Sequence, residues 1–398
     1  MTFEYAVVGA GIVGLATALQ IRQKFPQARI LILDKEILPA LHQSGHNSGV
    51  LHSGIYYKPG SLKAQLSRRG LQLMVDFCRD NSVEFEICGK MIVALNENEI
   101  PRLKDLADRA EKNQLNQVRW LDAQGVRSYE PSVQCKAGLW VPETGIVDYA
   151  SVCRKMVQLL ENQNVQFQFG CEIFNSNSNE KSDEIILQTG KGEFQAKKVI
   201  FCGGLQSDRL ARSSFGKQAL DLRIIPFRGE YYKIKKDQES IVKNLVYPVP
   251  NPELPFLGVH LTRMIQGGLE AGPNAVLSLK RECYGSYGFN WADSLETLTW
   301  PGFYKLAWKY LGVGAEEILR TISRHQFAKA VQKMVPDLKE ENLEFAFAGV
   351  RAQAVSRQGA LMDDFVILRK GNRIHVCNAP SPAATASLAI GEHLVKSL

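Results

Sequence analysis

Three of the seven histidines stand in one stretch, HQSGHNSGVLHSGIYY (42–57), among serines, glycines and two tyrosines. Histidine titrates near neutral pH, so such a cluster suits metal binding or proton transfer. His42 and His46 have the i, i+4 spacing of a helical ligand pair, but Gly45 and the Ser-Gly pairs oppose a helix there. No acidic residue lies between Glu36 and Asp76 to complete a metal set or act as its base, and no metal is expected. The same interval carries Lys58, Lys63, Arg68 and Arg69. A basic segment without acids suits a loop that lies beside phosphates or a carboxylate, with Arg68 and Arg69 reading as a solvated helix face.

Such a loop needs elements to hold it, and EYAVVGAGIVGLATALQIRQKFPQARILILDKE supplies the first of them. Tyr5 to Val8 reads as a buried strand, a helix runs to about Phe25 before Pro26, and Arg29 to Leu33 reads as a second strand. Between them Gly9, Gly11 and Gly14 make GxGxxG. Gly9 permits the tight turn, Gly11 lets backbone approach a pyrophosphate, and Gly14 lets helix pack on strand. Asp34, with Lys35 beside it, closes the second strand. Its carboxylate would accept the adenosine ribose hydroxyls and repel a 2′-phosphate. NAD and FAD both satisfy this segment.

The totals narrow the class. The chain has 398 residues, 45% hydrophobic and 22% charged, with a formal charge of +7, which fits a soluble globular protein of two domains or of one large α/β unit with an inserted part. Its basic residues are scattered, so nucleic acid is not an expected partner. Eight cysteines without a CxxC pair read as reduced thiols of a cytoplasmic protein. No signal peptide is recognised before the first strand, and no apolar run of about 20 residues could span a bilayer.

GxGxxG, the acid after the second strand and SGHNSGVLHSGIYY together resemble the D-amino-acid-oxidase-type FAD oxidoreductases, and within them the L-2-hydroxyglutarate dehydrogenase/oxidase group. Further similarity runs through CGKMIVA (88–94), GIVDY (145–149), PFRGEYY (226–232), YPVPNPELPFLGVHLTR (247–263), GPNAVL (272–277), AGVRAQAV (348–355) and NAPSPAATAS (378–387). The resemblance covers essentially the full length. It implies an α/β (α+β) fold, with a discontinuous Rossmann-like FAD-binding domain (1–82, 142–221, 344–398). A substrate domain on a mostly antiparallel sheet (83–141, 222–343) would accompany it, with a helical aromatic-rich insertion at about 284–335.

The resemblance also assigns residues. Ser44, Gly45, Asn47, Ser48 and Gly49 would run under the flavin's diphosphate–ribityl chain. His46 holds the position at which some relatives attach flavin, without implying a covalent bond here. His42 reads as structural. Gly203 and Gly204, at the end of KKVIFCGG, would close against the nucleotide. The loop at Pro382, Ala383 and Ala384 and the helix from Thr385 to Val395 would aim a helix N-terminus at the flavin's pyrimidine edge.

The implied reaction oxidises L-2-hydroxyglutarate to 2-oxoglutarate by hydride transfer to flavin N5, with a quinone or oxygen as final acceptor. It needs a base for the hydroxyl proton and cations for two carboxylates. His52 ranks first as base and His260 second. Arg351 matches the family's carboxylate-binding arginine. His260 and Arg263 would lie on opposite faces of a straight strand, so the histidine is the one expected inside. Tyr56 or Tyr57, Tyr231 and Lys90 are further substrate-side candidates, although either face of PFRGEYY suits an inward position. The alternatives are another anionic substrate on the same fold, such as glycerol 3-phosphate or an amino acid, and a flavin-binding protein without turnover. Trp291, Trp300 and Trp308, among lysines, read either as a packed helical insertion or as peripheral contact with the inner face of a membrane. A homo-oligomer is compatible with all of this.

Overall fold

The opening segment folds as its glycines predict. In a computed structural model describing residues 2–178, 184–216, 220–251, 258–285, 287–310 and 323–398, Thr2–Val8 is a strand and Ile12–Lys24 a helix. Ile30–Leu33 then pairs parallel to the first strand and is buried throughout, as a parallel strand between helical layers must be. Gly9 sits at φ +107°, and a Cβ on it would lie 2.4 Å from the Cys202 carbonyl oxygen. On Gly14 it would lie 1.9 Å from the Gly9 carbonyl oxygen. Only glycine lets this helix start pack so close to the strand.

Around that unit Gln166–Gln168, Ile30–Leu33, Thr2–Val8, Gly192–Phe201 and Arg373–Asn378 form a parallel sheet. Val366–Lys370 adds an antiparallel edge, and Ile173–Ser178 with Ile185–Thr189 forms a meander. Residues 179–183 of that meander's turn lie outside the described residues. Ile12–Lys24 packs against Tyr149–Glu161 and against the C-terminal helix Ala383–Val395. Val7, Leu15, Ile32, Val152, Ile200, Ile374 and Ile390 meet in the resulting core.

The second sheet is built on Leu222–Ile234 and Leu343–Ser356, antiparallel along nearly their whole length. From there it continues through Leu269–Gly272, His260–Arg263, Leu245–Pro248, Lys90–Ala94, Ala137–Val141 and Arg119–Asp122. Leu245–Pro248 pairs parallel with Lys90–Ala94, and the other described pairs of this sheet are antiparallel. All but the first residue of Leu343–Ser356 falls in the segment 344–398 expected of the FAD domain, yet its ladder pairing is with Leu222–Ile234 of this sheet. Motif likeness had placed it, and strand pairing is not written in a motif.

The aromatic insertion is helical at Trp291–Leu298, Pro301–Lys309 and Arg324–Gln332; residue 286 and residues 311–322 lie outside the described residues. Trp300 is buried, donates from its indole to the Val355 carbonyl oxygen at 3.1 Å and lies under the guanidinium groups of Arg223 and Arg357. Arg281 and Asp208, both fully buried, bind each other and reach Glu296 and Ile224. These contacts fasten the insertion down, while Trp291 and Trp308 remain 81% and 80% exposed.

Candidate active site

A cavity of about 980 Å³ runs from the ends of the parallel strands to the inner face of the second sheet. At one end Gly9, Gly11, Gly203 and Gly204 line it beside Asp34 and Lys35. Asp34 accepts the Ala10 N–H at 2.6 Å and the Glu36 N–H at 2.8 Å, which partly offsets the rise in its pKa caused by burial. Lys35 binds Glu36 at 2.7 Å and Glu282 at 2.8 Å. His42 joins Glu36 at 2.9 Å. Glu36, His42 and Glu282 thus converge with the Lys35 ammonium already among them.

The glycine–serine loop owes its shape to its own polar groups. Ser44 Oγ accepts the Ile12 N–H at 3.0 Å, and Asn47 donates to the Gln43 and Ser44 carbonyl oxygens while accepting the Gly49 N–H. His46 Nδ1 bonds the His42 carbonyl oxygen at 3.1 Å, its ring stacks on Tyr284, and its own carbonyl oxygen lies 2.8 Å from where a Cβ on Gly349 would be. Ser44, His46, Asn47 and Ser48 line the cavity. Gly45 and Gly49 do not, contrary to expectation. A Cβ would lie 2.4 Å from the Ala40 carbonyl oxygen at Gly45 and 2.6 Å from that of Val147 at Gly49, so these are packing glycines behind the wall. Gly14 is of the same kind.

At the other end strand register decides which side chains face in. Phe227 pairs with Arg351, Gly229 with Gly349 and Tyr231 with Phe347, and directly paired residues share a sheet face. Gly229, Tyr231, Gly349 and Arg351 line the cavity. Arg228 and Glu230 therefore point away, where they bind each other and Tyr287. His260 lines the cavity, stacks on Tyr247 with ring centres 3.9 Å apart, and bonds Gly258 O through Nδ1 at 2.9 Å. Since a carbonyl oxygen only accepts, Nδ1 carries the hydrogen and Nε2 keeps a lone pair. Burial, with the charges of Lys90 and Arg351, pushes the His260 pKa down to about 3. His52 is pushed well below its usual value by burial and by Lys90, His260 and Lys63. Both imidazoles are neutral at physiological pH.

Arg263 is not part of this site. Its guanidinium holds Glu86 through two contacts of 3.0 and 3.1 Å, on the face opposite His260. Lys90 lies behind the wall, its ammonium over the rings of Tyr247 and Tyr56, which do line the cavity. Tyr57 also lines it, under the ammonium of Lys63. Sequence reasoning passed over Tyr247, which stands in the quoted motif at 247–263, whose residues 252–257 lie outside the described residues.

Residues 4–397 match the FAD dependent oxidoreductase (DAO) family. The chain belongs to this family. It is 46% identical over 391 residues to the L-2-hydroxyglutarate dehydrogenase of Indibacter alkaliphilus, covering 98% of this chain and 97% of that one. It is 41% identical over 397 residues to that of Escherichia coli (strain K12), covering 100% and 93%. The L-alpha-glycerophosphate oxidase of Mycoplasma pneumoniae, solved with FAD bound, shares the fold at a TM-score of 0.81 and 23% identity, covering 100% of this chain and 94% of that one.

FAD is the family's cofactor, and the cavity has the chemistry for it. The helices Ile12–Lys24 and Ala383–Val395 both begin at its wall with no acidic residue in the first turn, which leaves their N-termini suited to anionic groups. The glycines Gly9, Gly11, Gly203 and Gly204 keep side chains out of the nucleotide end, and Pro382, Ala383, Ala384 and Thr385 form the opposite wall. At the substrate end His52 and Tyr56 line the cavity, and their buried Nδ1 and hydroxyl have no hydrogen-bond partner among the described residues.

Proposed function

We propose that this oxidoreductase converts L-2-hydroxyglutarate to 2-oxoglutarate. The observation that carries the reading is one guanidinium, Arg351, beside two neutral imidazoles at the end of a flavin-sized cavity. Bound FAD supplies the two-electron acceptor. Arg351 fixes the carboxylate next to the reacting carbon, since its planar fork matches a carboxylate bidentately. His52, neutral and lining the cavity, takes the hydroxyl proton. His260, restricted by Gly258 to acceptance at Nε2, is the second acceptor for that hydrogen. Tyr231, stacked on Phe347, closes the wall beside Arg351.

This reading predicts that the purified, FAD-loaded protein forms 2-oxoglutarate from the L acid with an artificial electron acceptor. D-2-Hydroxyglutarate, glycerol 3-phosphate and amino acids should give no comparable turnover. His52→Ala should cost more than His260→Ala, and the double variant most. Preferential turnover of glycerol 3-phosphate or an amino acid would discard the substrate while keeping the family.

The exposed side chains of Trp291, Leu295, Leu298, Tyr304 and Trp308, with Lys305 and Lys309 among them, support peripheral membrane contact and a quinone as electron acceptor. No helix among the described residues is long and apolar enough to cross a membrane. Sedimentation with anionic vesicles tests this, and the Trp291→Ser/Trp308→Ser variant should stay in the supernatant.

A further inference from the structure

Lys90 is 1% exposed, yet no carboxylate and no hydrogen-bond acceptor among the described residues meets its ammonium. Lysines so deeply buried are ordinarily paired, because an uncompensated charge loses its hydration. Two aromatic faces offset part of that loss: the ammonium lies 4.1 Å from the centre of the Tyr247 ring and 5.2 Å from that of Tyr56. Lys90 opens the strand Lys90–Ala94, with Leu245 and Val141 as backbone neighbours, and neither can pair with a cation.

The other groups facing it supply no anion either. They are His52, His260, Tyr56, Tyr247 and, on its own segment, Cys88. Burial keeps the Tyr56 hydroxyl and the Cys88 thiol protonated, and the two histidines are neutral. Lys63, whose charge also reaches His52, is already bound to Asp363 at 2.8 Å. Beside this ammonium the Tyr56 hydroxyl, protonated and without a partner among the described residues, keeps its hydrogen for donation. A 2-hydroxy dicarboxylate held at one end by Arg351 brings a second carboxylate against the wall that Tyr56 and Tyr247 form, directly behind which the Lys90 ammonium lies.

We propose that Lys90 is the counter-charge for the substrate's second carboxylate and, with Tyr56 as hydrogen-bond donor, makes the site select dicarboxylates. This rests on the hydroxy-acid reading given above. Burial brings the Lys90 pKa down to about 7, so the empty site is only partly charged near neutrality. An arriving carboxylate raises that value and draws a proton onto the amine. Affinity for the dicarboxylate is therefore full below about 7 and declines as pH rises through the value in the complex.

The test compares L-2-hydroxyglutarate with L-2-hydroxypentanoate, which has the same carbon chain but lacks the second carboxylate. The FAD-loaded wild type, Lys90→Met, Lys90→Arg and Tyr56→Phe are assayed between about pH 6 and about pH 9. Lys90→Met should lower kcat/KM for the dicarboxylate roughly ten- to a hundredfold and leave the monocarboxylate within about twofold, as loss of a charge-assisted contact predicts. It should also abolish the rise of KM with pH, while Lys90→Arg keeps part of the preference. Tyr56→Phe should narrow the preference in the same sense and reports independently if Lys90→Met does not fold. Equal losses on both acids in Lys90→Met and Tyr56→Phe, with the wild type active, would overturn this proposal alone. A wild type that oxidises neither acid would overturn the functional reading and this proposal with it.

Discussion

The hydroxyl of Thr385 accepts the backbone N–H of His52 at 3.1 Å and also meets Tyr149 Oη at 2.7 Å and Val50 O at 3.2 Å. One side chain in the first turn of the C-terminal helix thereby holds the backbone of the histidine assigned as base. Thr385→Val keeps the shape but leaves the His52 N–H without its partner, which costs about 1–3 kcal/mol. We expect a lower Tm and a fall in kcat larger than any change in KM, with Thr385→Ser restoring most of both. Thermal melts and steady-state kinetics of the two variants check this.

The pH profile follows from burial. His52 and His260 are both held below the ordinary histidine value, so the base is already deprotonated at pH values where a solvated histidine would be half protonated. The kcat profile should therefore show no acid limb near about pH 6.5. His375, stacked on Phe201 and pushed down to about 3, shares the depression. Groups that fold neutral and titrate lower than in the unfolded chain stabilise the protein fully above about pH 6.5, and that contribution is lost progressively as pH falls. Tm should decline on acidification while kcat holds, as parallel melting and rate measurements across this range would record. An acid limb at the ordinary histidine value would contradict the burial of the base.

Two arginines make a contrast. Arg263 spends its guanidinium on a partly exposed Glu86, so Arg263→Ala should change stability by less than about 1 kcal/mol and leave KM unaltered. Arg351→Ala should reduce kcat/KM by about a hundredfold or more. Kinetics of the pair separate a surface bridge from a substrate anchor.

What was legible follows from which forces act locally. The helix Ile12–Lys24 and the strand Ile30–Leu33 end within a residue of their sequence patterns, because apolar periodicity and flanking breakers define them. Alternation along a strand likewise put His260 and Arg263 on opposite faces before any partner was known. By contrast, Gly45 and Gly49 looked like residues beneath a cofactor. A glycine that admits a ligand and a glycine that admits another backbone are the same letter. The inward face of Leu222–Ile234 depended on its register with Leu343–Ser356, a pairing between residues far apart in the chain. Lys90 without a carboxylate partner is likewise a property of the folded neighbourhood.

The buried network under the insertion carries its own prediction. Asp208 is fully buried and accepts from Arg281 and from the Ile224 N–H. Asp208→Ala leaves the equally buried Arg281 guanidinium with only Glu296 and the Leu205 carbonyl oxygen and should cost about 1–3 kcal/mol. Denaturant titration measures the loss, and an unchanged midpoint would mean the insertion is held by other contacts.

The central claim is tested most directly by an anaerobic visible spectrum of the purified protein, before and after D- and then L-2-hydroxyglutarate. We predict a flavin absorbance band that the D form leaves intact and the L form bleaches. A flavin band that the L form leaves unchanged would contradict the proposed substrate.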